Sequence, residues 1–476
     1  LADWVKGRGG VASAQILDTA TGVVWAEATP NLALNPASNM KILTAAAALG
    51  KLGSEYRFST GLYGRVEAAR VDPLVLRGHG DPSLSTADLW QLAQALRHLG
   101  VSSVGTLLVD QSRFDAKFVP PAFEQQPNEW ANFRAPVSAV ALDQNSVTLN
   151  VLPRANGEPA QAWFEPEGIV TIEGSIATQK PGSGDAIQLT LEARGAELAA
   201  RIGGHVAEGL PRLRFERRLD DPRRAPGLAL REILRAVGIV VQGEVGLGGE
   251  AVQQRLVFHQ SEPLGVLVQQ LGKYSDNFYA EMLFKVLGAE SGTVPAQSED
   301  GARVVKAWLA ELGALAPDTR IENGSGLFDA NRVSAASFAG VLRAVARDPS
   351  VYPEFLAQLA IGGVDGTLRS RFRKFRDARF VRAKTGTLSA CVGLSGYVLG
   401  PTGERPIAFS LLANGLEGQV GAARQRMDQV VEAIVEARKV SRESSPGQAP
   451  PVVPSPQPKA ESAAETPEGP DDEGEH

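Results

Sequence analysis

Ser38-Asn39-Met40-Lys41 sets a hydroxyl and an amine three residues apart, where a helix is expected to begin. Residues i and i+3 share one helical face, so Ser38 and Lys41 can touch. A serine hydroxyl is a poor nucleophile until a base takes its proton. A lysine in a desolvated pocket can lose its charge and act as that base. Residues 42–49, ILTAAAAL, are mostly good helix formers and lead to Gly50, where the helix is expected to end. Met40, Ile42 and Leu43 around Lys41 predict a helix buried on several sides, and a buried amine without a partner is costly. Taken alone, Ser38 reads better as a helix cap.

Two further patterns follow, each occurring once. Ser275-Asp276-Asn277 sits in LGKYSDNFYAEML, between apolar segments that read as helices. In an extended loop, residues two apart point the same way, so Ser275 and Asn277 would face one site. Lys384-Thr385-Gly386 sits in VRAKTGTLSACVGLSGYVL, which reads as two strands and a turn. An amine, a hydroxyl and a glycine there suit a strand lying close to a carboxylate. Separately these are an ordinary turn and an ordinary strand end. In the order S-x-x-K, S-D-N, K-T-G they resemble the serine superfamily of class A β-lactamases and penicillin-binding proteins.

The stretch between Ser38 and Ser275 is far longer than in β-lactamases. With GHGDPSLSTADL (residues 78–89), NGSGLFDANRVS (323–334) and GGVDGTLRSRF (362–372), it makes the chain similar to class C low-molecular-mass penicillin-binding proteins, the D-alanyl-D-alanine carboxypeptidase/endopeptidases. The resemblance covers roughly residues 10 to 440. It implies an α+β fold: a transpeptidase/β-lactamase-like domain, with an antiparallel sheet flanked by helices, carrying nested β-rich inserted domains. On that pattern residues 1–58 and 262–441 form the discontinuous catalytic domain, residues 59–261 the insert, and residues 442–476 a disordered tail.

The resemblance also implies roles. Ser38 attacks a D-Ala carbonyl of a peptidoglycan stem peptide and neutral Lys41 takes its proton. The backbone N–H groups of Ser38 and Thr387 form an oxyanion hole. Ser275 relays a proton to the leaving amine, and Asn277 holds the substrate amide and orients Lys41. Lys384 and Thr385 bind the terminal carboxylate, with Gly386 and Thr387 completing the binding strand. Asp143, in AVALDQNSVTL, looks like the family residue that contacts the amino group of the third stem residue; its other reading is a plain turn aspartate. Gram-negative members carry glutamine where this chain has Ser389, and an arginine shortly after G-S-G-L where it has Phe328 and Asp329. The preferred third stem residue is therefore open. β-Lactams are the expected inhibitors. A β-lactamase of the same superfamily and a non-turnover β-lactam sensor or wall-binding scaffold are the alternatives; no E-x-x-L-N segment supplies a second base for the first.

The elements that must position these groups are legible. Residues 11–18 and 23–28 read as strands around a Thr-Ala-Thr-Gly turn, PIAFSLL as another strand, and 421–440 as an amphipathic helix. Between residues 56 and 259, short apolar runs separated by Gly, Pro and Asp predict β-rich subdomains, with helices at 86–100 and 227–238. After Ser445 the chain is proline-rich and acidic, without an aromatic residue, and is expected to be disordered. Of 476 residues 43% are hydrophobic and the net charge is −6, so no basic surface is on offer to nucleic acid. No apolar run is long enough to span a bilayer. No H-E-x-x-H pair, Walker loop or dinucleotide fingerprint occurs, so no metal or other cofactor is expected. Cys391, the single cysteine, reads as a packing residue in a buried strand. The chain starts at Leu1 without a signal segment, as a processed secretory protein or a trimmed one would. Peptidoglycan lies outside the cytoplasm, so the resemblance implies a periplasmic or otherwise extracytoplasmic protein.

Overall fold

The computed structural model describes residues 1–443 apart from 127–128, 195–196 and 401–403. All but the first residues of the expected disordered tail lie outside the described residues. Residues 1–435 form one compact unit; from Glu436 to residue 443 only the continuing helix is described.

The sheet at the ends of the chain is antiparallel and six-stranded. Val11–Asp18 pairs with Val24–Ala28 on one side and with Ile407–Asn414 on the other, Val11 opposite Asn414 and Asp18 opposite Ile407. Cys391–Val398, Val381–Thr387 and Ala360–Ile361 complete it. Ile407–Asn414 is buried along nearly its whole length because both faces are covered. Alternation splits its residues between two cores. Ala408 and Leu412 join Met40, Leu43, Phe284 and Phe338 from the helices Met40–Leu52, Asn277–Glu290 and Ala335–Arg347. Phe409 and Leu411 face Val5, Met427 and Val431, from the short helix Ala2–Lys6 and the helix Val420–Glu443. The protein is α+β, with helices on both faces of this sheet.

The Ser38 helix runs two residues beyond the expected stop at Gly50, to Leu52, and Gly53 (φ +85°) ends it. One glycine inside a helix costs only about 1 kcal/mol, which this buried helix absorbs.

The middle of the chain is β-rich. A five-stranded sheet holds Ser59–Tyr63, Leu74–Gly78, Leu107–Asp110, Val245–Leu247 and Arg255–Gln260, with helices Thr86–His98 and Ala225–Ala236 against it. The second helix begins two residues before expectation, with Pro226 in its first turn, where its missing N–H is harmless. Within this segment, residues 146–218 build a three-stranded and a four-stranded sheet. Leu62, Leu89, Leu107, Leu149, Phe164 and Leu230 share a core of their own. Phe114, Ala135, Val137, Ala139 and Ala141 instead join the core that holds Met40, Phe284 and Phe338. That crossing meets the helix Asn277–Glu290, whose Asn277 binds the Phe133 carbonyl and whose Lys285 binds Asp115.

Candidate active site

Ser38 lies in a 3-10 turn, Ala37–Asn39, that runs directly into the helix at Met40, and no side-chain cap bond closes that start. The hydroxyl is therefore not spent on capping. Ala37 is held in the left-handed region (φ +47°), which costs an alanine about 1–2 kcal/mol. Its neighbours fix that conformation. Asn35 Oδ1 accepts the Ala37 N–H at 2.9 Å. Gly326 comes so close that a Cβ there would sit 1.9 Å from the Ala37 carbonyl oxygen.

Lys41 is fully buried. Its Nζ donates to Ser38 Oγ (3.1 Å), Asn277 Oδ1 (2.7 Å) and the Ser325 carbonyl (2.7 Å). Burial pulls its pKa down to about 7, against opposing pulls from Glu281 and Asp276. Near neutrality it is thus available as a base.

Ser275 and Asn277 reach the site by a different route from the one the sequence suggests. The loop is not extended: Ser275 has φ +61° and Asp276 caps the helix that Asn277 opens, accepting from Tyr279 N at 3.1 Å. The two side chains diverge. Ser275 Oγ accepts from Lys384 Nζ at 2.7 Å, while Asn277 turns to Lys41 and donates from Nδ2 to the Phe133 carbonyl at 2.9 Å. One motif therefore serves two lysines.

Lys384 is buried on the strand Val381–Thr387, and its Nζ also donates to the Thr385 carbonyl at 2.8 Å. Burial, with Lys41 adding to it, holds its pKa well below the usual lysine range. Thr385 and Thr387 are half-buried beside it. Gly386 answers to the Ser38 turn: a Cβ there would sit 2.7 Å from Asn39 Nδ2 and from the Pro36 carbonyl oxygen.

Asp143 lies in a run of three left-handed residues, Asp143 to Asn145. Its carboxylate accepts from Thr86 N (3.2 Å) and Thr86 Oγ1 (2.6 Å), anchoring the start of the Thr86–His98 helix. It also lines a cavity of ≈ 840 Å³ whose wall includes Asp276 and Tyr279, so it stands beside the S-D-N turn. Burial raises its pKa. Ser389 is exposed. Asp329 is tied to Arg332 at 2.5 Å and Asn35 Nδ2 at 3.1 Å. Cys391 opens its strand and is half-buried rather than buried, because it sits at the strand's end; burial still pushes its thiol up to about 11.

The sequence reading missed Asn35, Phe133, Glu281 and Ser325. Glu281 was within reach, four residues after Asn277 and on the same helical face. The Phe133 and Ser325 contributions are backbone carbonyls, which no side-chain pattern reports. Among the described residues no cluster of three or more metal-ligating side chains occurs, and no helix is long and apolar enough to cross a membrane.

The family model described as D-Ala-D-Ala carboxypeptidase 3 (S13) matches residues 5–435. A D-alanyl-D-alanine carboxypeptidase of Actinomadura sp. is 33% identical over 439 residues, covering 88% of this chain and 80% of the relative. Penicillin binding protein 4 of Haemophilus influenzae superposes with a TM-score of 0.71 at 23% identity, covering 87% of this chain and 93% of that one. The same protein complexed with a novel β-lactam gives 0.68 at the same identity and coverage.

Proposed function

This chain belongs to the D-Ala-D-Ala carboxypeptidase 3 (S13) family, and on that premise we propose how its residues divide the reaction. The protein is a serine DD-peptidase that binds β-lactams. Ser38 Oγ attacks the carbonyl carbon of the D-Ala peptide bond, and its proton passes to neutral Lys41. A neutral amine has two N–H bonds and one lone pair. Asn277 Oδ1 and the Ser325 carbonyl, each 2.7 Å away, take the two hydrogens, so the lone pair is left for Ser38. The backbone N–H groups of Ser38 and Thr387 stabilise the oxyanion. The leaving amine receives a proton from Ser275 Oγ, which regains one from the Lys384 ammonium bound to it, and the proton taken up by Lys41 passes back to Lys384, so that Lys41 is neutral again for deacylation. Lys384 and Thr385 hold the substrate's terminal carboxylate, whose charge favours the protonated form of Lys384. Water then cleaves the acyl-serine. Asp143, with the cavity it lines, faces the third stem residue, and peptidoglycan stem peptides are the substrate.

The observation that carries this reading is Lys41 Nζ at 3.1 Å from Ser38 Oγ with its pKa near 7. Mass spectrometry after benzylpenicillin exposure tests it: the adduct should sit on Ser38 and persist for longer than a β-lactamase would allow. Rapid release would favour the β-lactamase reading. A stable adduct without cleavage of D-Ala-D-Ala peptides would favour a sensor, and an adduct on another serine would overturn the assignment.

The domain division belongs to the same reading, with residues 59–261 inserted between the parts 1–58 and 262–441 of the catalytic domain. The separate core of the middle segment supports it. The family's action on the cell wall supports work outside the cytoplasm, and we assign the protein to the periplasm or its equivalent.

A further inference from the structure

Asn277, Glu281 and Lys285 stand at i, i+4 and i+8 on the helix Asn277–Glu290, a polar stripe on a helix whose other residues are nearly all buried and mostly apolar. Asn277 belongs to the reaction and Lys285 has an ion-pair partner in Asp115. Glu281 is left over. It is 1% exposed, and a carboxylate at that depth needs a reason.

Its contacts supply one. Oε2 accepts from Gly324 N at 3.1 Å and Oε1 from Ser325 N at 2.7 Å. Thr44 Oγ1 holds the same peptide from the other side, donating to the Gly324 carbonyl at 2.7 Å. The next carbonyl along, that of Ser325, receives Lys41 Nζ. We propose that Glu281 is a positioning residue for Lys41. Its two oxygens clamp the Gly324-Ser325 backbone so that the Ser325 carbonyl aims the Lys41 lone pair at Ser38, and its charge opposes the loss of the Lys41 proton. Burial raises the Glu281 pKa, and the donors of Gly324 and Ser325 together with the charge of Lys41 oppose that rise; N–H donors on both oxygens suit the ionised carboxylate. The other charged groups facing Lys41 are Asp276 from the start of the same helix and Lys384 from the sheet. Asp276 adds to the pull of Glu281, while between the two lysines it is Lys384 whose pKa is pushed down by the charge of Lys41.

This role rests on Lys41 being the base for Ser38. Two variants separate its parts. Glu281→Gln removes the charge and presents an NH2 group to a backbone N–H. Glu281→Asp keeps the charge and withdraws it by one methylene. Acylation by benzylpenicillin is followed from pH 5 to 9, with thermal melting as the check on folding. Glu281→Gln should acylate about 10- to 100-fold more slowly on the plateau. Its acid limb should move to lower pH by about one unit, because a negative charge beside the amine is gone. Glu281→Asp should be slowed at least tenfold with its limb in the wild-type position.

A Gln variant with wild-type plateau and limb overturns the proposal. So does a folded Gln variant slowed with an unshifted limb, since that is loss of structure alone. Should Glu281→Gln not fold, Glu281→Asp decides: tenfold slowing supports the clamp and a wild-type rate overturns it. Failure of the underlying reading is seen separately, as wild-type protein that is not acylated on Ser38.

Discussion

Lys41 and Lys285 are both buried, on neighbouring helices packed in one core, yet they do opposite work. Lys285 Nζ meets the Asp115 carboxylate at 2.5 Å and the Lys117 carbonyl at 2.9 Å. Burial lowers its pKa as well, but a full negative charge at contact opposes the loss of its proton. Lys41 meets only neutral oxygens in its hydrogen bonds and titrates near 7. Burial is common to the two; the partner is not. At the Lys285 end of the stripe a carboxylate ties the middle segment onto the catalytic helices. At the Asn277 end, carbonyl and amide oxygens leave an amine free to exchange its proton. Chemistry is placed where a buried cation lacks a contact anion, and cohesion where it has one.

The largest effect should come from abolishing that exchange. Lys41→Arg keeps its proton throughout the accessible range, so acylation of Ser38 should fall by about 10³-fold or more, while Ser38→Ala, which has no nucleophile there, should not be acylated at this site at all. Stopped-flow acylation by a fluorescent penicillin measures it, and an arginine variant acylated at a near wild-type rate would mean another group is the base.

Gly386→Ala should be milder. Its Cβ has no room against Asn39 and the Pro36 carbonyl, so the Ser38 turn must shift. A loss of about 10- to 100-fold in acylation is expected, with D-Ala-D-Ala turnover falling in step. Wild-type acylation there would show that the sheet yields instead of the turn.

In wild type the sign of the pH dependence is set by Lys41. The reactive form is the neutral amine, so acylation should be full above pH 7 and fall about tenfold per unit below it. The pH–rate profile of acylation checks this. A limb near pH 10 would place Lys41 in the same class as a solvated lysine and erase the contrast with Lys285.

Lys285→Met should leave the rate per folded molecule nearly unchanged while lowering stability by about 3 kcal/mol, because Asp115 is left buried without its cation. Replacing Asp115 by leucine as well should recover most of the loss. Urea titrations of the single and double variants measure it, and an equally large fall in acylation would mean that the two ends of the stripe are not separable.

The part of the site that could be read in the sequence is the part written in side chains at short spacing. Ser38 and Lys41 meet because three residues make most of a helical turn, and Lys384 lies on a strand because alternation and the following turn require it. What escaped is written in backbone. The left-handed Ala37 rests on Asn35 just before it and on Gly326 far along the chain, and the left-handed Ser275 meets the distant Lys384. The carbonyls of Phe133 and Ser325 belong to residues whose side chains carry no signal for the role. The helix running past Gly50 shows packing overriding a local stop. The β-rich middle was legible from its short apolar runs, but not that Phe114, Ala135, Val137, Ala139 and Ala141 leave its core to pack beside the helices that carry Lys41 and Asn277.

The pairing of Val11–Asp18 with Ile407–Asn414 has a consequence for how the protein is made. The strand Val11–Asp18 needs, as one of its two neighbours, the strand Ile407–Asn414, which is synthesised long after it. Until then Ile16 and Leu17, which end up buried, have no complete surface to rest on. The middle segment, whose strands pair among themselves, is under no such delay. Contacts this distant along the chain make closure of the sheet the slow, late event of folding. An unfinished sheet edge that waits is also a surface for misassociation. Truncation within Ile407–Asn414 should therefore cost the whole catalytic half of the molecule, far more than one strand.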